Sequence, residues 1–226
     1  MCWNWQVSIS SFILITIMSY ILYVRNLNND RLLAIFLFSY GSMQLCETFI
    51  WLGQDKRYKD FNKIGSIAAS ALLYTHPLAF IIGMWHDKQY NNIKSLPQFT
   101  FCLVGSIIWF AFGLYQIALA YKTKEYSLTS YPDSKSNHLV WDFPDHYRIS
   151  LIFLALIISY FIFPNQKIFV LCLALYFMIP VITLLLTMKI EDNNKIKNYA
   201  GSYWCWYVAI FSFMFYLVNP IIQNVT

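Results

Sequence analysis

Long apolar runs alternate along the chain with short polar connectors. Seven runs stand out, at roughly 6–24, 31–53, 61–86, 98–121, 147–163, 167–188 and 202–222. A helix needs about 20 apolar residues to cross the hydrocarbon core, and each run comes close to or exceeds that length. The fifth run is the shortest, and only a few residues around Pro164 separate it from the sixth, so these two should form a tight antiparallel hairpin. None of the runs shows the period-two alternation of barrel strands, which leaves the helix as the structure that satisfies its own backbone in lipid. The expected fold is all-α: one polytopic transmembrane bundle of about seven helices over residues 1–226, with no internal repeat or domain boundary. Pro77, Pro180 and Pro220 fall inside or near the ends of runs. Each removes a backbone donor, so kinks are expected there.

Composition supports the same picture. Hydrophobic residues make up 58% of the chain and charged residues only 12%, against about 25% charged in soluble domains. Too few polar groups remain to cover a water-facing surface. The net charge of +5 does not point to nucleic acid, because the basic residues are scattered through connectors. It reports topology instead. Eleven Lys and Arg fall on the side holding connectors 54–60, 122–146 and 189–201, and five on the other. The positive-inside rule then places the N-terminus in the cytosol and the C-terminus outside. The opening "MCWNWQ" lacks the positive region of a signal peptide, and no small-residue cleavage site follows at "YILYVRN", so the first run reads as a retained anchor. Trp3, Trp5, Trp51, Trp204 and Trp206 fall at cytosolic ends of runs, where an aromatic belt accounts for them. The five cysteines (Cys2, Cys46, Cys102, Cys172 and Cys205) are unevenly spaced and mostly within apolar runs. They read as buried thiols rather than a disulfide framework.

The chemistry begins with "GSMQLCETFIWLG", residues 41–53, where Gln44 and Glu47 interrupt an otherwise apolar run. Tyr40, Gln44, Glu47 and Trp51 follow 4-3-4 spacing and share one helix face. Glu47 lies six residues from the end of its run, about 9 Å below the cytosolic boundary at the helical rise. A carboxylate there must be neutral, paired or hydrated, so its face should look into the bundle or into water. At the same depth the third run offers Ser66 and Ser70 on a small-residue surface with Gly65 and Ala69, and the fourth offers Tyr115 and Gln116. Thr183, Tyr203 and Tyr207 complete the expected polar layer. His76 lies about 22 Å from the boundary, too far for direct contact with Glu47, so any coupling would run through water. The alternative for Glu47 is protonated structural glue, and for His76 a neutral imidazole satisfying carbonyls freed by Pro77.

A second cluster, His138, Asp142, Asp145 and His146, falls in the long connector "HLVWDFPDHYR". These residue types suit zinc or iron, but the spacing matches no established metal motif. A solvated loop leading into a helix N-terminus explains it better, and no bound metal or cofactor is expected. The lysines within the runs, Lys63 and Lys167, sit at run ends, so none lies deep enough to carry a retinal Schiff base, and the chain has no phosphate-binding glycine loop and no "HExxH".

The segments "MCWNWQVS", "MQLCETFIW" and "GSYWCWY" resemble an uncharacterised family of small multi-pass membrane proteins associated with giant viruses and bacteria. The resemblance covers most of the chain and implies no activity or ligand. It does imply that Gln44, Glu47 and the Trp/Cys-rich ends belong to the design.

These residues point first to a transporter or channel that moves protons, cations or a small solute. Glu47 would be the titrating group, with Gln44, Ser70 and Gln116 lining the site and His76 relaying outward. The alternatives are an intramembrane enzyme, in which Asp142, Asp145 and His146 hold a metal that acts on a lipid or apolar substrate, and a non-catalytic sensor or scaffold. The lipid bilayer is the expected partner. The pathway could lie within one protomer or form only in a homo-oligomer.

Overall fold

Asn4 begins the first helix by accepting the Val7 amide at 2.9 Å through Oδ1, so one of the helix's free donors is satisfied. The computed structural model describes residues 4–27, 29–132, 139–142 and 144, with the isolated helical positions Ile157, Phe213, Tyr216, Leu217 and Pro220. Within them run α1 (Trp5–Arg25), α2 (Asp30–Leu52), α3 (Lys59–His86) and α4 (Pro97–Thr123). All four are long and apolar enough to cross a membrane, and their bounds lie within two residues of the first four expected spans. The expected spans 147–163, 167–188 and 202–222 fall outside the described residues, apart from those isolated positions.

Consecutive helices pack antiparallel, and the α2–α3 seam is read from its contacts. Gly53 abuts Asn62, Gly65 meets Cys46 and Ile50, and Gly83 meets Leu32. Between these ends Ser39 faces Thr75, Tyr40 faces His76 and Phe36 faces Phe80. Gly65 is required by closeness: a Cβ there would lie 2.7 Å from the Cys46 carbonyl oxygen. More than half of the apolar window of α2 and of α3 is buried, against 28% in α1 and 17% in α4. The two outer helices carry large exposed apolar side chains, among them Ile13, Ile108 and Phe101. Such a surface is stable only against apolar surroundings, so these helices are consistent with a membrane protein. Pro77 sits inside α3, and the helix is continuous through it.

The α1–α2 corner is built from charge. Arg25 binds both oxygens of the fully buried Asp30, at 2.7 and 2.8 Å, and donates to the Tyr216 carbonyl. Asp87, just beyond α3, accepts the amides of Leu32 and Gln89 at 3.4 and 3.0 Å. Its carboxylate thereby supplies an acceptor at the start of α2, since the Asn29 side chain makes no capping bond to that helix and accepts the Tyr90 hydroxyl instead. Burial pushes the Asp87 carboxyl above its ordinary range, and the negative charge of Asp30 adds to that effect.

The all-α expectation needs one correction. The connector after α4 carries a two-stranded antiparallel hairpin, β1 (Thr129–Pro132) and β2 (Leu139–Asp142), with Ser130 opposite Trp141. The solvated loop expected here is therefore folded onto the bundle. Leu128 is buried among Cys46, Ala69 and Ala120, and Trp141 packs against that cluster.

Candidate functional site

The α2–α3 seam holds a column of buried polar side chains. From α3, Asn62, Ser66 and Ser70 recur every fourth residue and so lie on one face. From α2, Gln44 and Glu47 are 2% and 1% exposed. Both are engaged in interactions rather than isolated. The contacts of the seam place Glu47 level with Ala68 and Ala69, one helical turn from Gly65. Ser70 is fully buried, and its hydroxyl has no hydrogen-bond partner among the described residues.

His76 lies further along the seam. Its ring stacks on Tyr40 with centroids 4.4 Å apart, and Phe36 meets it edge-on. Tyr40 is two turns from Glu47, about 10 Å along the axis, so His76 and Glu47 occupy separate levels. The imidazole is 2% exposed, and its Nε2 has no hydrogen-bond partner among the described residues. The carbonyl-satisfying role expected beside Pro77 is therefore not filled through that nitrogen.

Two members of the expected layer stand apart. Gln116 is only partly buried. Tyr115 is 61% exposed and lies on the outer surface of α4. The reason is the narrow contact that α4 makes: Gly113, Ile117 and Ala120 are its buried positions there, and residue 115 falls on the opposite side. Gly113 lies directly on the Tyr74 ring. Thr183, Tyr203 and Tyr207 are outside the described residues.

Sequence reasoning missed what closes one end of the column. Asn62 acts as an extra strand edge for β1: its Nδ2 donates to the Ser130 carbonyl at 2.5 Å, and its Oδ1 accepts the Ser130 amide at 2.8 Å. Gln54 Nε2 donates to the same carbonyl at 2.9 Å, and the Ser66 and Ser130 hydroxyls are 2.8 Å apart. Ser130 is 1% exposed. A short β-branched and aromatic stretch on either side of "PDSKSN" is the available hairpin signal, but nothing local announces its partner in α3.

Of the connector cluster, Asp142 is described, and it serves the hairpin. Its Oδ2 accepts the Ser127 amide at 2.8 Å and its carbonyl accepts the Leu128 amide. His138, Asp145 and His146 lie outside the described residues, as do Cys2 and Cys205. Among the described residues no group of three or more His, Cys, Asp or Glu is placed to hold a metal. Cys46 and Cys102 are free thiols. Comparison with known proteins finds no matching family model, no matching curated protein and no matching solved structure.

Proposed function

We propose that the chain is a membrane transport protein that carries protons or a small cation along the polar column between α2 and α3. Glu47 is its titrating group. The observation that carries this reading is the burial of Glu47 at 1% exposure in the interior of an apolar helix pair. An ionised carboxyl at such a depth costs about 3 kcal/mol, and intramembrane acids commonly mark ion pathways. Gln44 and Ser70 supply neutral polar atoms around the same stretch, which can follow a proton or a partly dehydrated cation. His76 on its Tyr40 stack offers a further basic nitrogen toward the other end. The hairpin at Asn62 and Ser66 gives the column a removable end: among the described residues four hydrogen bonds tie Ser130 to it, and none is part of a helix ladder.

In this reading the chain crosses the membrane seven times, with its N-terminus in the cytosol and its C-terminus outside. Tags on the two ends should become reachable from opposite faces in intact and permeabilised cells, and access to both from one face would break the count. The functional test is Glu47→Gln in reconstituted vesicles. The substitution keeps size and hydrogen-bonding capacity while removing the titration, so loss of flux with retained fold is the expected result. Flux equal to the unsubstituted protein at every pH would leave the seam as packing and remove the transport role.

A further inference from the structure

The ends of α3 and α4 that meet the β-hairpin enclose a cleft of about 360 Å³, lined by Lys63, Tyr121, Lys124, Tyr126, Ser127 and Leu128. Lys63 enters from the second turn of α3, and its ammonium lies 4.4 Å from the centroid of the Tyr121 ring. Cation–π contact fixes that charge at the wall of the cleft without neutralising it. Lys124 ends α4 in the left-handed region, at φ 56°, with its amide on the Ala120 carbonyl, and so turns the chain into the hairpin. Among the described residues neither lysine has a carboxylate within ion-pair distance. Asp142 bonds to Ser127 on one side of the cleft, where its carboxylate already accepts a backbone amide.

Lys63 and Lys124 both line this one small cleft, and a bound anion would offset the two like charges there. The position narrows the choice of anion. Both lysines stand at ends of helices long and apolar enough to cross a membrane, and the ends of a spanning helix lie near the headgroups. Exposed Arg57, Lys59 and Lys122 in the same stretches are balanced by exposed Asp55, Asp60 and Glu125, which leaves Lys63 and Lys124 as the excess positive charge beside the cleft. A phosphate group fits such a cleft in charge and size, with the tyrosine rings able to border its ester carbons. We propose that this cleft binds a phosphate group, supplied by an anionic phospholipid of the adjoining leaflet. Lys63 and Lys124 are its charged contacts. The site depends on the helices crossing a membrane and is independent of transport through Glu47.

The test uses the full-length protein in nanodiscs of phosphatidylcholine doped with phosphatidylglycerol, with bound lipid counted by native mass spectrometry. Inorganic phosphate and glycerol 3-phosphate are titrated in a separate arm. Retention of phosphatidylglycerol should fall about fivefold for each lysine changed to glutamine. Lys63→Arg with Lys124→Arg should retain it, and Lys88→Gln with Lys94→Gln at the opposite helix ends should leave it unchanged. Phosphatidylglycerol retained while the soluble phosphates fail to bind confirms the lipid as source. Binding of the soluble phosphates alone, lost in Lys63→Gln with Lys124→Gln, overturns the lipid source. Equal retention by the unsubstituted protein and that double variant overturns the site.

Discussion

Replacing Asn62 by alanine should release the β-hairpin from the helix pair without unfolding the helices. Asn62 makes two direct bonds to the Ser130 backbone, and Ser66 also donates to its Oδ1 at 3.4 Å. After truncation the Ser130 carbonyl keeps Gln54, but the Ser130 amide keeps no partner among the described bonds. An orphaned buried donor costs about 1–3 kcal/mol, and the lost bond to the carbonyl adds about 1 kcal/mol more. The sum, about 2–4 kcal/mol, falls on the docking equilibrium of a single hairpin. At 1.4 kcal/mol per factor of ten, hydrogen exchange at the Ser130 amide should accelerate by about 30-fold to several hundred-fold. Exchange in the middle of α2 and α3 should change far less, because their packing at Phe36, Phe80 and Met84 is distant from this end. The assay is peptide-resolved hydrogen–deuterium exchange on the detergent-solubilised full chain. Unchanged protection at Ser130 would refute the clamp, and uniform acceleration across α2 and α3 would refute its independence from the helix core.

Two further outcomes follow from the packing and the charges. Gly65→Ala should lower the melting temperature, by an overpacking cost of about 1–3 kcal/mol, because the new Cβ would meet the Cys46 carbonyl and Ile50 amide of α2 at 3.0 Å or less; an unchanged or higher melting temperature would show that the helices separate freely there. The Asp87 carboxyl is held above its ordinary value by burial first, so the folded protein keeps its proton to higher pH than the unfolded chain does. Its contribution to stability is therefore fully present below the ordinary aspartate range and lost as pH rises through the raised folded value. Asp87→Asn, which keeps an acceptor for the α2 amides, should flatten that decline in melts taken from pH 4 to 8, and parallel curves for the two proteins would contradict it.

The four described helices were legible because their signal is length and continuous apolarity, which lipid demands and no tertiary detail can mask. The inward aim of Gln44 and Glu47 was legible for the same reason: polar side chains in an apolar run have few places to go. The separation of Glu47 from His76 followed from the helical rise alone. Tyr115 was misplaced because depth fixes a level but not an azimuth, and the azimuth of α4 depends on Gly113 resting against Tyr74. The hairpin was missed for a related reason. Its strands are four residues each, and its stability comes from Asn62, Gln54 and Ser66, more than 60 residues away in sequence. Pairing at that range leaves no periodic trace. Asp142 read as part of a solvated loop for want of that partner, whereas its carboxylate bonds the Ser127 amide in the hairpin.

The proposed transport role requires Glu47 to titrate. Its most direct measurement is proton flux into vesicles carrying a trapped pH dye, driven by a potassium diffusion potential, with unsubstituted protein compared against Glu47→Gln from pH 5 to 8. The unsubstituted protein should give flux above that of empty vesicles, and Glu47→Gln should lose it with a nearly unchanged melting temperature. Equal flux from both proteins throughout that pH range, or no flux of protons or small cations from the unsubstituted protein, would contradict it.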